Sequence, residues 1–240
     1  MRLIIAAIAA ALMWLAGPAE AQTTSAAAAQ VVARHRAASG GSAWNQLRGL
    51  HETGVEDGVR YEAWYDPLRY GVRIETQEPA GRRVRGFNGV GAWQISPDRV
   101  ITGRADRASL AQARSQAYLA AWAFLFPSRF AADTAHLGVR QARGRSFDVI
   151  RVQPTSGEPR ELWFDRSSRL LSRVVDRTGG RPVTTELSDY RRVGRLLLPF
   201  RAASDRGGRP SLRQVEAVTT EAADRTRFSW TEAEGTPRPQ

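Results

Sequence analysis

Side chains able to serve as acids, bases, nucleophiles or metal ligands are sparse in this 240-residue chain. Cysteine is absent and there are three histidines. Without cysteine there is no disulfide framework, no thiolate metal site, no cysteine nucleophile and no lipobox cysteine for N-terminal lipid attachment. His35, His51 and His136 form neither a His-x-His nor a His-Glu-x-x-His pattern. Asp133 and His136 are spaced to share one face of a helix, the spacing of a surface pair as well as of an acid–base pair. No Gly-x-Ser-x-Gly elbow occurs, which argues against an α/β-hydrolase serine site. Gly86-x-x-Gly89-x-Gly91 reverses the dinucleotide-binding spacing and precedes no helical pattern. Asp148, Asp165, Asp176 and Asp189 are the carboxylates available for general acid–base work. Asp165 and Asp189 stand at expected turns and read as residues that hydrogen-bond local backbone. The sequence therefore reads as a non-enzyme, with no catalytic residue, metal or cofactor assigned.

The aromatic residues carry more information. Trp64, Trp93 and Trp163 fall in different strand patterns. Tyr118, Trp122 and Phe126 recur every fourth residue and would draw one stripe along a helix. Core packing between helix and sheet gives that pattern. So does a stripe facing an acyl-sized cavity or docking at a membrane interface, where aromatic side chains with a polar atom are well suited. These six residues are the candidate ligand-binding set.

Hydrophobic residues make up 42 % and charged residues 25 % of the chain, an ordinary globular balance that excludes wholesale disorder. The formal charge is +11, and with no lysine present every one of the 35 basic side chains is arginine. Schiff-base and P-loop lysine chemistry is thereby excluded. Such a charge raises nucleic acid, phospholipid headgroups and acidic polymers as partners. The arginines are scattered, however, and the densest group, Arg82, Arg83 and Arg85, is too short for a nucleic-acid arm.

The N-terminus sets the compartment. Arg2 precedes an apolar core, Leu3 to Leu15, broken by Gly17-Pro18 and followed by Ala19-Glu20-Ala21. This is the pattern of a secretory signal peptide cleaved after Ala21. The apolar run is short of the roughly 20 residues a membrane span needs. Cleavage would remove Arg2 and Glu20 and leave the charge unchanged. Export argues against a nucleic-acid partner and for a periplasmic protein. The apolar run Ala117 to Phe126, ended by Pro127, suits a buried or interfacial helix.

The elements that position these residues follow from periodicity. An alanine-rich helix is expected over 23–38, stopped by Gly40-Gly41, with a short turn or helix through Trp44. From Leu50 the period is two. Strands are expected at 60–65, 70–75, 83–87, 92–95 and 100–102, with Asn88-Gly89 as a hairpin turn. A helix capped by Asp106 or Ser109 runs to Phe126, and a short one is expected over 129–135. Strands resume at 147–152, 161–165, 170–176, 183–188, 196–202 and 212–218. Close spacing predicts an antiparallel meander whose apolar face the helices cover. The fold class is mainly β with α: a curved antiparallel sheet, or incomplete β-barrel, covered by a few helices. The chain divides into a signal peptide over 1–21, one domain over 22–230 and a disordered tail over 231–240.

Three segments carry a resemblance. Gly86-Phe87-Asn88-Gly89-Val90-Gly91-Ala92-Trp93 resembles a G-F-D-G-x-x-x-W hairpin. Pro159 to Asp165 with Arg169 to Arg173 resembles an E-L-W-x-D-x-x-x-x-L-L-x-R hairpin. Ser188 to Gly194 with Leu198-Pro199-Phe200 resembles a D-Y-R-x-V-x-G-x-x-x-P-F strand pair. Together, over roughly residues 42 to 220, these resemble the periplasmic lipoprotein-carrier superfamily (LolA/LolB-like). A similar pattern occurs in N-terminal regions of some secreted aspartic-protease-like proteins. Their Asp-Thr/Ser-Gly turn is not met here, since Asp133-Thr134-Ala135 has alanine in the glycine position. The carrier resemblance implies an incomplete barrel with a helical lid around an apolar cavity that receives lipid chains. It transfers no individual residue.

The expected function is non-catalytic binding of a lipid or other amphiphile in the envelope, with rim arginines pairing an anionic headgroup and a peripheral membrane contact as a further partner. One alternative is a surface-interaction module for an envelope protein or cell-wall partner, favoured if the cavity is too small for an alkyl chain. The other is a degenerate or accessory domain of a secreted hydrolase.

Overall fold

A computed structural model of the chain describes residues 24–104, 106–205 and 208–237. The expected signal peptide lies outside the described residues. The architecture is one curved, open sheet with its helices on one face. Among the described residues fourteen strands form it, in one continuous order of hydrogen-bonded neighbours.

Two meanders make up that order. The first comprises β1 (Leu50–Glu56), β2 (Val59–Asp66), β3 (Gly71–Glu78), β4 (Gly81–Asn88), β5 (Ala92–Ile95) and β6 (Val100–Arg104). The second comprises β7 (Ala132–Ala142), β8 (Arg145–Pro154), β9 (Arg160–Asp165), β10 (Leu171–Asp176), β11 (Val183–Val193), β12 (Leu196–Asp205) and β13 (Pro210–Thr219). They meet at one antiparallel seam, where His51 of β1 faces Thr219 of β13 and Glu56 faces Arg213, with a bulge between Thr53 and Gly54. Glycine is required there: a Cβ on Gly54 would lie 2.2 Å from the Gln214 carbonyl and 2.9 Å from the Tyr61 hydroxyl. The hairpin expected at Asn88-Gly89 forms, with Asn88 Oδ1 accepting the Val90 and Gly91 amides.

Alternation assigns the faces. Leu50, Tyr61, Ala63, Tyr65, Leu162 and Phe164 point into the concave side and belong to the main core. That side is filled by α1 (Ala26–Ser39), α2 (Arg107–Ala120) and the 3₁₀ turns Gly41–Gln46 and Ala123–Leu125. Ser25 caps α1 through the Ala28 amide, and Asp106 caps α2 through the Ser109 amide. The α1 residues Ala28, Val31, His35 and Ser39 form its buried stripe. Trp44 is fully buried beneath it, donating through Nε1 to Ser39 Oγ at 3.0 Å.

Three expectations are corrected. The helix expected to reach Phe126 ends at Ala120; Trp122 takes a left-handed backbone (φ 52°), and a 3₁₀ turn follows. Packing of the Trp122 ring against Trp44 at 5.4 Å and His35 at 6.0 Å, with Pro127 disfavouring helix at Phe126, outweighs the helical pattern. Residues 129–135 form no helix: from Ala132 they enter β7, so Asp133 and His136 are not a helix-face pair. A register shift between His136 and Gly138 breaks the alternation that would have announced this strand.

The third correction concerns the C-terminus. Residues 231–237, expected to be disordered, belong to a strap over the convex face of the first meander. The strap starts where the Ala223 amide donates to the Arg48 carbonyl and passes through a 3₁₀ turn, Arg225–Phe228. It ends as β14 (Thr236–Pro237), pairing parallel with Val100 and Ile101 of β6. Glu234 on the strap pairs with Arg73 and, at 3.6 Å, with Arg82. Arg73 also bonds Glu75 at 2.7 Å, and its side chain is 5 % exposed. The strap covers a second small core of Val84, Trp93, Ile95 and Ile101.

Candidate functional site

The six sequence-selected aromatics do not meet in one site. Tyr118, Trp122 and Phe126 lie on the concave side, in or against the main core. Trp64, Trp93 and Trp163 lie on the convex side. Register fixes this for two of them: Trp64 faces Arg73 across β2–β3, Arg73 faces Gly86, and Gly86 faces Trp93. Trp64 stacks on His51 at 5.0 Å and carries the Arg227 guanidinium at 4.4 Å. Trp93 donates through Nε1 to the Phe228 carbonyl at 3.0 Å. Trp163 alternates with the inward-facing Leu162 and Phe164, packs edge-on to Phe147 and lies under Arg173 at 4.9 Å. Tyr118 is sealed in the core against Tyr70, and Phe126 is buried under Arg129. Of the six, Trp122 lines the concave cavity.

That cavity, about 200 Å³, sits over the β1–β13 seam. Leu119, Ala120 and Trp122 at the end of α2 form one wall. Leu187, Leu198, Pro199 and Ala202 of the second meander form the opposite wall, with Leu50, Val215 and Val218 beside the seam. Alternation inside the curve supplies these apolar groups, and the left-handed turn at Trp122 brings its ring to the edge.

The polar end of the cavity is Glu52, Tyr65 and Arg213. Arg213 Nη1 donates to the Tyr65 hydroxyl at 3.2 Å and lies 3.5 Å from Glu52 Oε1. Its Nε pairs with Glu56 Oε2 at 3.2 Å, and its guanidinium lies 4.2 Å from the Tyr61 ring centre. The Tyr61 hydroxyl donates to Glu52 Oε1. Burial, reinforced by Glu52, pushes the Tyr65 phenol up to about 12. The same two causes raise Tyr61 further, so both phenols stay neutral. Burial opposes the charge on Arg213, but its tyrosine and glutamate neighbours outweigh that and hold it protonated. The arginine at this cavity is thus a half-buried one, held by two carboxylates. Pattern reading passed over Glu52 and Arg213. The signal available was a glutamate two residues beyond Leu50, on the inward side of a strand.

The sequence-selected carboxylates serve structure. Asp165 Oδ1 accepts the Ser167 and Ser168 amides and Oδ2 accepts Arg145 Nε, as expected of a turn residue. Burial works against its charge, yet those bonds hold it below the usual carboxylate range. Asp189, expected to bond backbone, pairs instead with the Arg191 guanidinium at 2.6 Å. Asp176 pairs with Arg160 at 2.9 Å, and Asp148 with Arg34 at 3.2 Å. His136 Nε2 lies 3.7 Å from Asp148. His51 contacts Glu62 at 2.7 Å on the convex face, and His35 is enclosed in the core. Among the described residues no group of three or more metal-ligating side chains is gathered, and no helix is long and apolar enough to cross a membrane.

A curved open sheet holding a small, mostly apolar cavity under helices is the LolA/LolB-like fold. Comparison with solved structures agrees. A DUF1329 family protein from Desulfovibrio piger superposes with a TM-score of 0.58 at 8 % identity, covering 87 % of this chain and 99 % of its own. A domain described as an outer-membrane lipoprotein-sorting protein, from Vibrio parahaemolyticus, gives 0.54 at 13 % identity over 83 % and 94 %. A LolA superfamily protein from Nitrosomonas europaea gives 0.51 at 12 % identity over 85 % and 97 %. At such identities the likeness is one of fold. No protein-family model and no curated protein matches the sequence.

Proposed function

We infer that the chain is a non-catalytic binding protein of the bacterial envelope that takes the apolar part of a lipid or other amphiphile into the seam cavity. One observation carries the reading: apolar walls from both meanders and α2 converge on a polar end within a LolA/LolB-like half-barrel. Exposed apolar walls beside buried polar groups are the usual make-up of a small-molecule site. Similarity in fold to lipoprotein-sorting and LolA superfamily proteins supports handling of lipid or lipoprotein. The signal-peptide pattern over residues 1–21 supports export to the periplasm.

The cavity volume favours a second reading as well. About 200 Å³ holds roughly seven water-sized groups at ~30 Å³ each, less than a drug-sized pocket. That suits the end of an alkyl chain, or a largely filled barrel that binds an envelope protein through its surface. The two separate experimentally. Carriage predicts stoichiometric, saturable uptake of an apolar fluorescent dye and its displacement by a single-chain amphiphile. Ala202→Trp, which fills the cavity, should abolish uptake while circular dichroism stays unchanged. Saturable uptake that survives the filling would move the site elsewhere, and no uptake by the parent protein would favour the surface reading.

A further inference from the structure

The polar end of the seam cavity holds hydrogen-bond donors that the described chain leaves unused. Arg213 Nε donates to Glu56 Oε2, and Nη1 donates to the Tyr65 hydroxyl and faces Glu52 Oε1. Nη2 donates to no acceptor among the described residues. The Tyr65 hydroxyl accepts from Arg213, and its own O–H likewise meets no acceptor among them. Arg213 stays protonated and Tyr65 neutral, so both remain donors in ordinary buffers. The carboxylate in the same lining, Glu52, already engages Oε1 with the Tyr61 hydroxyl and Arg213. None of the other lining side chains can accept a hydrogen bond. The terminal nitrogens of a guanidinium are neighbours in one rigid plane, so Nη2 lies beside the hydroxyl that Nη1 contacts. Donors in a poorly hydrated concavity are unfavourable unpaired, and a ligand atom that accepts from them gains affinity.

We propose that this end of the cavity recognises an acceptor oxygen, and that its ligand is an amphiphile with an acyl ester whose carbonyl accepts from the Tyr65 hydroxyl and Arg213 Nη2; the proposal rests on the amphiphile-binding reading above. An ester carbonyl has two lone pairs and brings no donor of its own. It is attached directly to the alkyl chain, which lies along Leu198 and Val215 while the carbonyl reaches the polar end. Glu52 and Glu56 keep their places on Arg213, because the carbonyl takes only donors that they leave open. Recognition is by hydrogen bonds to named atoms, so it needs no net charge in the cavity and is independent of the +11 on the whole chain.

The test uses the full mature chain, a neutral apolar dye and two uncharged competitors of equal backbone length, methyl octanoate and decane. Both should displace the dye from the parent protein. Tyr65→Phe keeps the ring and removes the donor, and should weaken methyl octanoate about fivefold, the worth of one net hydrogen bond, while leaving decane within about twofold. Infrared spectroscopy reads the bond directly: the carbonyl stretch of bound methyl octanoate should lie at lower frequency than that of the same ester dissolved in decane. If Tyr65→Phe does not fold, that comparison on the parent protein decides alone. An ester weakened no more than decane by Tyr65→Phe, or a bound carbonyl band matching that in decane, overturns the proposal while displacement of the dye leaves the amphiphile reading intact. Nonanol displacing the dye better than the ester, with no loss in Tyr65→Phe, assigns the polar end to Glu52 as an acceptor and also overturns it. Absence of dye uptake, or dye that none of these ligands displaces, overturns both.

Discussion

Acidification from pH 6.5 to 4 should cost the folded state about 3 kcal/mol through His35 alone, and His35→Leu should remove that part of the loss. His35 lies in α1 with no exposed surface, enclosed by Trp122, Phe124 and Phe164. Its Nδ1–H donates to the Arg169 carbonyl at 3.1 Å, while Nε2 has no partner and is completely buried. A second proton would enter that apolar enclosure, and burial lowers the pKa from 6.5 to about 4, partly offset by the bond to Arg169. The unfolded imidazole takes up a proton as pH falls through 6.5 and the folded one does not. Stability contributed by the neutral ring is complete above pH 6.5 and is lost progressively down to about 4. Each unit of difference is worth ~1.4 kcal/mol, which gives the 3 kcal/mol total to about that precision. Urea denaturation of both proteins at half-unit intervals measures it, because carboxylate effects cancel in the difference between them. Leucine leaves the Arg169 carbonyl unpaired and should lower stability at pH 7 by about 1–3 kcal/mol. The two stability curves should then converge as the pH falls. Parallel curves between pH 4 and 6.5 would refute the buried neutral imidazole.

Other parts of the molecule make separate predictions. Gly54→Ala should destabilise by more than ~3 kcal/mol, read as a lowered denaturation midpoint, because its Cβ meets the Gln214 carbonyl across the seam; a normal midpoint would mean the seam is loose. Asp165→Ala should cost about 1–3 kcal/mol at pH 7 by leaving the donors of Ser167 and Ser168 unsatisfied. Because the folded carboxyl is depressed, its contribution is complete above its ordinary pKa of 3.8 and lost below it, so parent and variant should approach one another only in that acidic range. A chain ended after Thr220 should show red-shifted tryptophan emission as Trp64 and Trp93 lose their cover, and unshifted emission would mean the strap does not shield them. Trp163→Ala should leave dye uptake unchanged while Trp122→Leu alters it, since only Trp122 borders the cavity; the reverse outcome would place binding on the convex face.

Most strands were readable because their alternation is strong, as in Tyr61, Ala63 and Tyr65 inward against Glu62 and Trp64 outward. The same parity already set Trp64 apart from the core, and treating every aromatic strand residue as a cavity candidate overlooked it. β7 was not readable because its bulge after His136 interrupts the period and its composition is weakly apolar. The early end of α2 depends on Trp44 and His35, distant in sequence, holding Trp122 in a left-handed backbone. The pairing of Glu52 and Glu56 with Arg213 is likewise non-local, and nothing between β1 and β13 in the chain announces it. The strap escaped notice because its polar residues resemble a solvated tail until Arg73 and Arg82 on the convex face are known to await Glu234.

The seam also orders events in time. β1 precedes β13 by all the strands from β2 to β12, so His51 meets Thr219 only after those strands have been made. Until then the first meander ends in an unpaired edge carrying Leu50 and Val55, and the second has no Leu50 or Tyr65 beside its walls. Ladders between residues so far apart close slowly, because chain entropy is lost before contacts are gained. The cavity is therefore a late product of folding rather than a property of either meander, and a nascent or truncated chain lacking β13 has no site to fill. Its open β1 edge is then the surface most exposed to pairing with another chain.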